Sequence, residues 1–263
     1  MVAKLYKISI YGIFCLILWN TRNNFFCSAI VAFAQVVVWH LIGIGLNYWL
    51  QMMKLLVFDL GGVLIDLHVN RSFEALAAMG VAPSMLTEEG SLVNRIMQQY
   101  DRGDIPTEEM FGYISSFIPA EACEKYGVGL REHIGNVWNM MLGEFPLRKL
   151  QLLKELRAKG YRVVMLSNTN EAHWPEIERK FAAVAGKPLQ DYFDALYLSY
   201  LMRLRKPEQE IFTRLLEREG ITAAEAVFFD DSAENCAAAR ALGIEAVQVE
   251  RNSSLDKYIM CYL

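Results

Sequence analysis

Short apolar runs alternate with amphipathic segments along most of this chain, and this alternation constrains the fold more than any other feature. A continuous apolar run is typical of a strand that is buried on both faces. Five runs are predicted to be strands: Lys54–Phe58, Arg162–Leu166, Ala195–Leu198, Ala226–Phe229 and Ile244–Val249. The segments between them, such as Pro146–Lys159, have the glycine stops of helices. Strands separated by helices predict an α/β fold with a parallel sheet and helices on both faces.

The largest departure from this alternation lies between the first strand and Pro146. Residues 68–143 contain no convincing strand, and four segments there are predicted to be helices: Phe73–Met79, Leu92–Tyr100, Thr107–Phe117 and Leu130–Leu142. Apolar positions in this region recur at helical intervals. We interpret 68–143 as a helical cap over a site, inserted into a core made of 53–67 and 144–263. An ordinary four-helix packing domain would have the same pattern.

Residues 1–52 are a separate hydrophobic segment with three basic residues and no acidic one. Within it, 25–50 has no charged side chain and is long enough, at about 1.5 Å per residue, to be a transmembrane helix. Alternatively, the start is mis-assigned and translation begins near Met53, where a soluble α/β domain would naturally start. Two locations follow: a cytoplasmic protein, or a membrane-anchored one with a cytoplasmic catalytic domain.

The charge of the rest of the chain limits its partners. Outside 1–52 there are 23 basic and 30 acidic side chains, a net charge of −7. A body of that sign is a poor partner for nucleic acid, although a local site can still bind a small anion. The five cysteines show no C-x-x-C spacing, which favours reduced thiols over a disulfide framework or a zinc site.

Polar side chains directly follow four of the predicted strands. The carboxyl ends of parallel strands meet at one edge of a sheet, where the ligands of such sheets bind. Taken singly, each side chain has an ordinary explanation, as a helix N-cap, a turn residue or a solvated charge. Their shared position at one edge is harder to explain in that way. The residues are Asp59, Ser167, Asn168, Lys206, Asp230 and Asp231.

This set of side chains suits phosphoryl transfer. A carboxylate is a nucleophile that needs no activation at pH 7, but it repels a phosphate dianion, so a divalent cation must neutralise both. Clustered carboxylates are ligands that Mg²⁺ prefers. A lysine and a hydroxyl can hold the equatorial oxygens, and backbone N–H groups around Gly61 and Gly62 can approach closely because glycine lacks a β-carbon.

These segments resemble the four motifs of the haloacid dehalogenase-like hydrolase superfamily, in the branch with a helical cap after the first motif. They occur in the family's order and spacing over about residues 53–250: Asp59-Leu60-Gly61-Gly62-Val63-Leu64, Ser167-Asn168, Lys206-Pro207 and Asp230-Asp231. The resemblance implies a Rossmann-like core. The flanking residues look most like the bacterial α-D-glucose-1-phosphate phosphatase subgroup, which implies a small phosphorylated metabolite as substrate.

The resemblance also implies a role for each matching position. Asp59 would attack phosphorus and form an aspartyl-phosphate that water later hydrolyses. Ser167 and Asn168 would bind the transferring phosphoryl group, together with backbone groups of Gly61 and Gly62. Lys206 would neutralise that group and orient the nucleophile.

A magnesium site is implied as well. Its ligands would be Asp59, the backbone carbonyl of Gly61, and Asp231 together with Asp230, either directly or through water. Asp66, where the chain leaves for the cap, is a candidate for substrate contact, with a capping or hinge role as the alternative.

One position departs from the family's pattern. Most phosphatases of the superfamily have a second Asp, a general acid and base, two residues after the nucleophile, and here that position is Gly61. One reading is a phosphatase for esters whose leaving group needs little protonation, such as glucose 1-phosphate. A second reading is a metal-free 2-haloacid dehalogenase, against which Asp230 and Asp231 argue. The third is a catalytically weak, metabolite-binding regulatory protein.

The cap is expected to select the substrate, and several of its residues are candidates that the sequence does not rank. For Arg102 a surface ion pair is the competing interpretation. The pair His173-Trp174, soon after the second motif, would border the pocket or pack its helix. The cap candidates are His68, Arg71, Tyr100, Arg102 and Trp138.

Overall fold

A computed structural model describes residues 53–87 and 91–262 of the chain. Their centre is a five-stranded sheet in which every neighbouring pair of strands is parallel, in the order β3-β2-β1-β4-β5. The strands are β1 Leu55–Phe58, β2 Arg162–Ser167, β3 Ala195–Leu198, β4 Ala226–Asp230 and β5 Glu245–Gln248. The predicted α/β class and all five predicted strands are confirmed, and no strand end differs from its predicted position by more than one residue.

The apolar runs form strands here because the middle of the sheet is covered on both faces. All four residues of β1 and all five of β4 are buried. β1 lies between β2 and β4, so that Phe58 pairs with Met165 on one side and Phe229 on the other. The rings of Phe58 and Phe229 stack with centroids 4.7 Å apart. Central strands of this kind read as continuous hydrophobic runs.

Six α-helices occupy the described part of the long insertion after β1, as the sequence predicts in outline. Four of them correspond to the predicted segments, and two short ones, Pro83–Thr87 and Ala120–Tyr126, lack the length for a recognisable periodicity. The four are α1 Val69–Ala78, α3 Leu92–Arg102, α4 Thr107–Ser116 and α6 Leu130–Asn139; α2 and α5 are the short helices. The remaining helices alternate with the strands: α7 Leu147–Ala158, α8 His173–Ala185, α9 Ser199–Met202, α10 Gln209–Glu219, α11 Ala233–Ala241 and α12 Asp256–Ile259.

The two chain segments that join the insertion to the core run side by side. Leu67 and Leu142 form an antiparallel bridge, and the Gly143 N–H donates to the Asp66 carbonyl at 2.8 Å. A β-carbon on Gly143 would lie 2.7 Å from that carbonyl oxygen, so a side chain would push the two segments apart. The predicted bounds of the cap, 68–143, fall at this crossing and stay a prediction.

No helix in 53–87 or 91–262 has both the length and the apolar character needed to cross a membrane. The hydrophobic segment 1–52, with the span predicted at 25–50, lies outside the described residues. Residues 53–87 and 91–262 belong to one compact unit.

Candidate active site

Lys206 joins the carboxyl ends of three neighbouring strands. Its side chain is 1% exposed, and Nζ donates to Asp59 Oδ1 at 2.6 Å and to Asp230 Oδ2 at 2.7 Å. The third hydrogen bond goes to the backbone carbonyl of Leu166, at 2.9 Å. An ammonium group has three N–H donors, so these partners saturate it. Lys206 is therefore held in one place directly beside the Asp59 carboxylate.

The charges around Lys206 are not balanced. Burial raises the pKa of Asp59 to about 7, although the Lys206 ammonium opposes the rise and the Asp230 charge adds to it. Burial by itself lowers the pKa of Lys206, but the carboxylates of Asp230 and Asp59 outweigh it and raise the value. One ammonium thus faces two buried carboxylates, with Asp231 close by. A site with this excess of negative charge suits an added cation.

Asp230 is the most tightly held of these acids. It is completely buried, and Oδ1 accepts from the backbone N–H of Ser232 at 2.8 Å and from Asn235 Nδ2 at 3.0 Å. Ser232 and Asn235 stand at the start of α11, where Ser232 caps the helix. With Lys206 on Oδ2, both oxygens of Asp230 are engaged. Asn235 has no signal in the sequence, because an Asn in a first helical turn is commonplace.

Asp231 is less enclosed than its neighbour. Its Oδ2 accepts from Arg251 Nε at 2.5 Å. Ligand oxygens of Asp59, Asp230 and Asp231 lie within 4.8 Å of one another, and three hard oxygen donors at this spacing fit Mg²⁺. Gly62 makes the arrangement feasible: its φ is +79°, and a β-carbon there would lie 2.8 Å from Asp231 Oδ2. The structure thus brings Asp59, Asp230 and Asp231 together as the sequence predicts.

Ser167 and Asn168 follow β2, and their side chains differ in what they do. The Asn168 carboxamide makes two hydrogen bonds of 2.9 Å with the backbone of Lys206, one as donor and one as acceptor. That side chain therefore positions the Lys206 backbone, and the predicted phosphoryl contact of Asn168 stays a prediction. Ser167 is 2% exposed and lines a cavity that Gly61 and Asn168 also line.

This cavity lies between the ends of β1 and β2 and the helical insertion, and its volume is about 160 Å³. Gly61, Ser167 and Asn168 form its lining from the motif segments, and Trp138 and Asp101 belong to the insertion. Most of the other lining residues are apolar. The apolar ones are Leu60, Ile65, Leu67, Met97, Met141, Leu142 and Ile177, and the polar ones are Thr169, Asn170 and His173.

Asp101 and His173 are the titratable side chains of the cavity lining. Burial raises the pKa of Asp101, against the opposing effects of its hydrogen bond with Asn170 and the charge of Arg205. Burial lowers the pKa of His173 to about 3, so its imidazole is neutral at physiological pH. The His173 ring stacks on Trp138, with an interplanar angle of 4°.

The other cap candidates do not line the cavity. Tyr100 donates or accepts a hydrogen bond of 2.8 Å with Thr107 Oγ1. Arg102 forms a close ion pair with Glu208. An ion pair is the competing interpretation of Arg102 that the sequence allowed. His68 and Arg71 lie elsewhere on the insertion. Asp66 lies 3.4 Å from the ammonium of Lys149 and is absent from the lining as well.

Comparison with known proteins adds to this geometry. The haloacid dehalogenase-like hydrolase family matches residues 53–243. D-ribitol-5-phosphate phosphatase of Bacteroides thetaiotaomicron is 31% identical over 207 residues, which are 77% of this chain and 94% of that protein. A phosphorylated carbohydrates phosphatase of Thermotoga maritima is 25% identical over 195 residues, 74% of this chain and 84% of that one.

The solved structures agree. A haloacid dehalogenase (HAD) family enzyme from Bacteroides thetaiotaomicron, in complex with magnesium and inorganic phosphate, is 33% identical, with a TM-score of 0.68, and covers 78% of this chain and 98% of its own. The chain belongs to the haloacid dehalogenase-like hydrolase family. The superfamily, the Rossmann-like fold and the enzyme class, a phosphoric monoester hydrolase, are thereby confirmed.

Proposed function

We propose that this protein is a Mg²⁺-dependent phosphatase that hydrolyses a small phosphorylated sugar or polyol through an aspartyl-phosphate on Asp59. The observation that carries the proposal is the buried hydrogen-bonded group in which Lys206 joins Asp59 and Asp230. A buried ammonium between two acids stabilises an ionised Asp59, which is the form that attacks.

Two displacements at phosphorus make up the reaction. Lys206 holds Asp59 Oδ1, so Oδ2 forms the bond to phosphorus as the bond to the ester oxygen breaks. The leaving alkoxide takes a proton from solvent water, which is made good when water attacks in the second displacement, and departs as an alcohol. Water then attacks the phosphorus of the acyl phosphate, inorganic phosphate leaves, and the Asp59 carboxylate is restored. The Lys206 charge and the Ser167 hydroxyl face the negative charge on the transferring group.

The metal-binding part of the proposal rests on the donor set. Asp59, Asp231 and the Gly61 carbonyl would hold Mg²⁺, with Asp230 behind them, because both oxygens of Asp230 already have protein partners. When bound, the ion would neutralise charge between the nucleophile and the phosphate. Arg251 donates a hydrogen bond to Asp231 Oδ2 and so orients that carboxylate, although Arg251 is not itself one of the metal-binding residues.

The substrate class is supported by the cavity and by the relatives. About 160 Å³ is close to the volume that encloses a benzene-sized molecule, so the cavity suits a small leaving group. Relatives act on ribitol 5-phosphate and on phosphorylated carbohydrates. Glucose 1-phosphate remains one substrate to test, because its anomeric leaving group needs little protonation from a site with Gly61 in place of an acid.

The acidic body and the sparse cysteines support a cytoplasmic catalytic domain. Fractionation of cells that express the full chain would test this location. If 25–50 spans a membrane, the protein will sediment with the membranes. An intact mass that corresponds to a chain starting near Met53 would rule out this membrane-anchored alternative.

The proposal is tested with the full-length protein and p-nitrophenyl phosphate, with and without Mg²⁺. We expect hydrolysis that requires the metal and that Asp59→Asn lowers at least 10³-fold while the thermal unfolding transition remains cooperative. Glu171 is an acidic residue of the same sheet edge that is not among the three clustered acids. The variant Glu171→Gln is therefore the matched control and should retain activity. Halide release from a 2-haloacid without metal would instead support the dehalogenase reading.

A further inference from the structure

The cavity carries hydrogen-bonding groups that neither the phosphoryl chemistry nor the fold uses. Asp101 Oδ1 accepts from Asn170 Nδ2 at 3.0 Å, whereas no donor among the described residues engages Oδ2. The backbone of Asp101 is fixed as well, because the Ser199 hydroxyl donates to its carbonyl oxygen. The carboxylate is thus held firmly with one oxygen left for a ligand.

A second acceptor lies on His173. Asn139 Nδ2 donates to the Ala172 carbonyl at 3.3 Å, which leaves Asn139 Oδ1 to accept from His173 Nδ1 at 2.8 Å. A neutral imidazole with its hydrogen on Nδ1 presents a lone pair at Nε2. No hydrogen bond within the described part of the chain involves that nitrogen, and the residue lines the cavity.

Two neighbouring cavity residues also have unpartnered polar atoms. Trp138 Nε1 and Thr169 Oγ1 are buried without a hydrogen-bond partner in the described residues, 53–87 and 91–262. Buried polar groups normally have a partner, so these two atoms depart from the usual pattern in residues that line the cavity. Most of the remaining lining is apolar, which suits the C–H groups of a carbon chain.

We propose that Asp101 and His173 determine specificity by accepting hydrogen bonds from hydroxyl groups of the substrate, and so select phosphorylated polyols over phosphorylated alkyl chains. This inference rests on the proposed function, since it concerns the leaving group of the same reaction. A hydroxyl donates to Asp101 Oδ2 and another to His173 Nε2. An alkyl chain would leave both acceptors desolvated and unpaired, which sites built for hydroxyl groups penalise strongly.

The test compares two five-carbon substrates that differ only in hydroxyl groups, ribitol 5-phosphate and n-pentyl phosphate. We expect the wild-type full-length enzyme to have the higher kcat/KM on ribitol 5-phosphate. Asp101→Asn replaces one oxygen by an NH₂ donor at constant size, and should lower the ratio of the two kcat/KM values by about 10- to 100-fold. The rate on n-pentyl phosphate should stay within about threefold.

His173→Phe removes Nε2 but keeps a ring against Trp138, and should lower the same ratio by about 10-fold. Asp104→Asn is the matched control, an exposed acid on the same corner of the cap, and should leave the ratio unchanged. An unchanged ratio in both test variants overturns the inference, as does an equal loss on both substrates. A wild-type enzyme that hydrolyses neither substrate nor p-nitrophenyl phosphate would overturn the proposed function itself, and the inference with it.

Discussion

The two ends of the site are built differently. At the phosphate end, Asp59 and Asp230 stand at strand termini, and Lys206, from the loop after α9, donates a hydrogen bond to each of them. At the leaving-group end, Asp101 and His173 come from helices, and each retains an acceptor with no donor among the described residues. The polar groups at the phosphate end are thus held by hydrogen bonds within the protein. The part that selects a substrate is left unsatisfied until a substrate supplies the partners.

The largest expected effect lies at the phosphate end. Lys206→Met leaves Asp59 and Asp230 buried without a cation, and breaking a buried ion pair in this way costs roughly 3–5 kcal/mol of unfolding free energy. Urea denaturation at pH 7.5 measures it. Lys149→Met is the control, because Lys149 is also buried but pairs with Asp66 at 3.4 Å outside the site, and it should cost clearly less. Equal losses of unfolding free energy would mean that Lys206 stabilises the fold no more than an ordinary buried lysine does.

The difference between the two ends also explains what the sequence could predict. Strand termini of a parallel sheet converge whatever the loops do, so the positions of Asp59 and Asp231 follow from the order of apolar runs and polar residues. The longer helices of the cap were predictable as well, because their apolar residues recur with the period of a helix.

Asp101 could not be assigned in this way. Its place over the cavity depends on Asn170 and Ser199, which are 69 and 98 residues away in the chain. Such pairings leave no local pattern. Arg251 was missed because its role exists only through its contact with Asp231, 20 residues away in the chain. Asn235 was missed because an Asn is commonplace in a first helical turn.

The two adjacent glycines of the first motif provide a second test, with a smaller effect. Gly62→Ala forces a side chain onto a backbone with φ of +79° and pushes against Asp231, so we expect a loss of roughly 1–2 kcal/mol. It should also reduce the rise in thermal midpoint that Mg²⁺ produces. Gly61→Ala meets only the end of the Leu67 side chain, at 3.3 Å, and should keep most of that rise. If the two variants respond equally to Mg²⁺, Gly62 is not needed for the position of Asp231.

A further test concerns the pH dependence of stability at the leaving-group end. Burial lowers the pKa of His173 to about 3, below its ordinary value of 6.5, so the folded protein binds this proton more weakly than the unfolded chain. The resulting contribution to stability is complete above pH 6.5 and is lost as the pH falls towards 3.

Between pH 7.5 and pH 5, wild type should therefore lose about 2 kcal/mol more unfolding free energy than His173→Phe. Urea titrations of both proteins at the two pH values measure this difference. The same pH dependence in the two proteins would show that His173 titrates normally and is not held neutral in the cavity.

The central claim is that Asp59 carries the phosphoryl group between the two displacements. Acid quenching of the full-length enzyme during turnover of p-nitrophenyl phosphate, followed by peptide mass analysis, tests it most directly. We predict one added phosphoryl group on the peptide that contains Asp59, absent without Mg²⁺ and absent from Asp59→Asn. A phosphoryl group on any other peptide, or undiminished turnover by Asp59→Asn, would contradict the account.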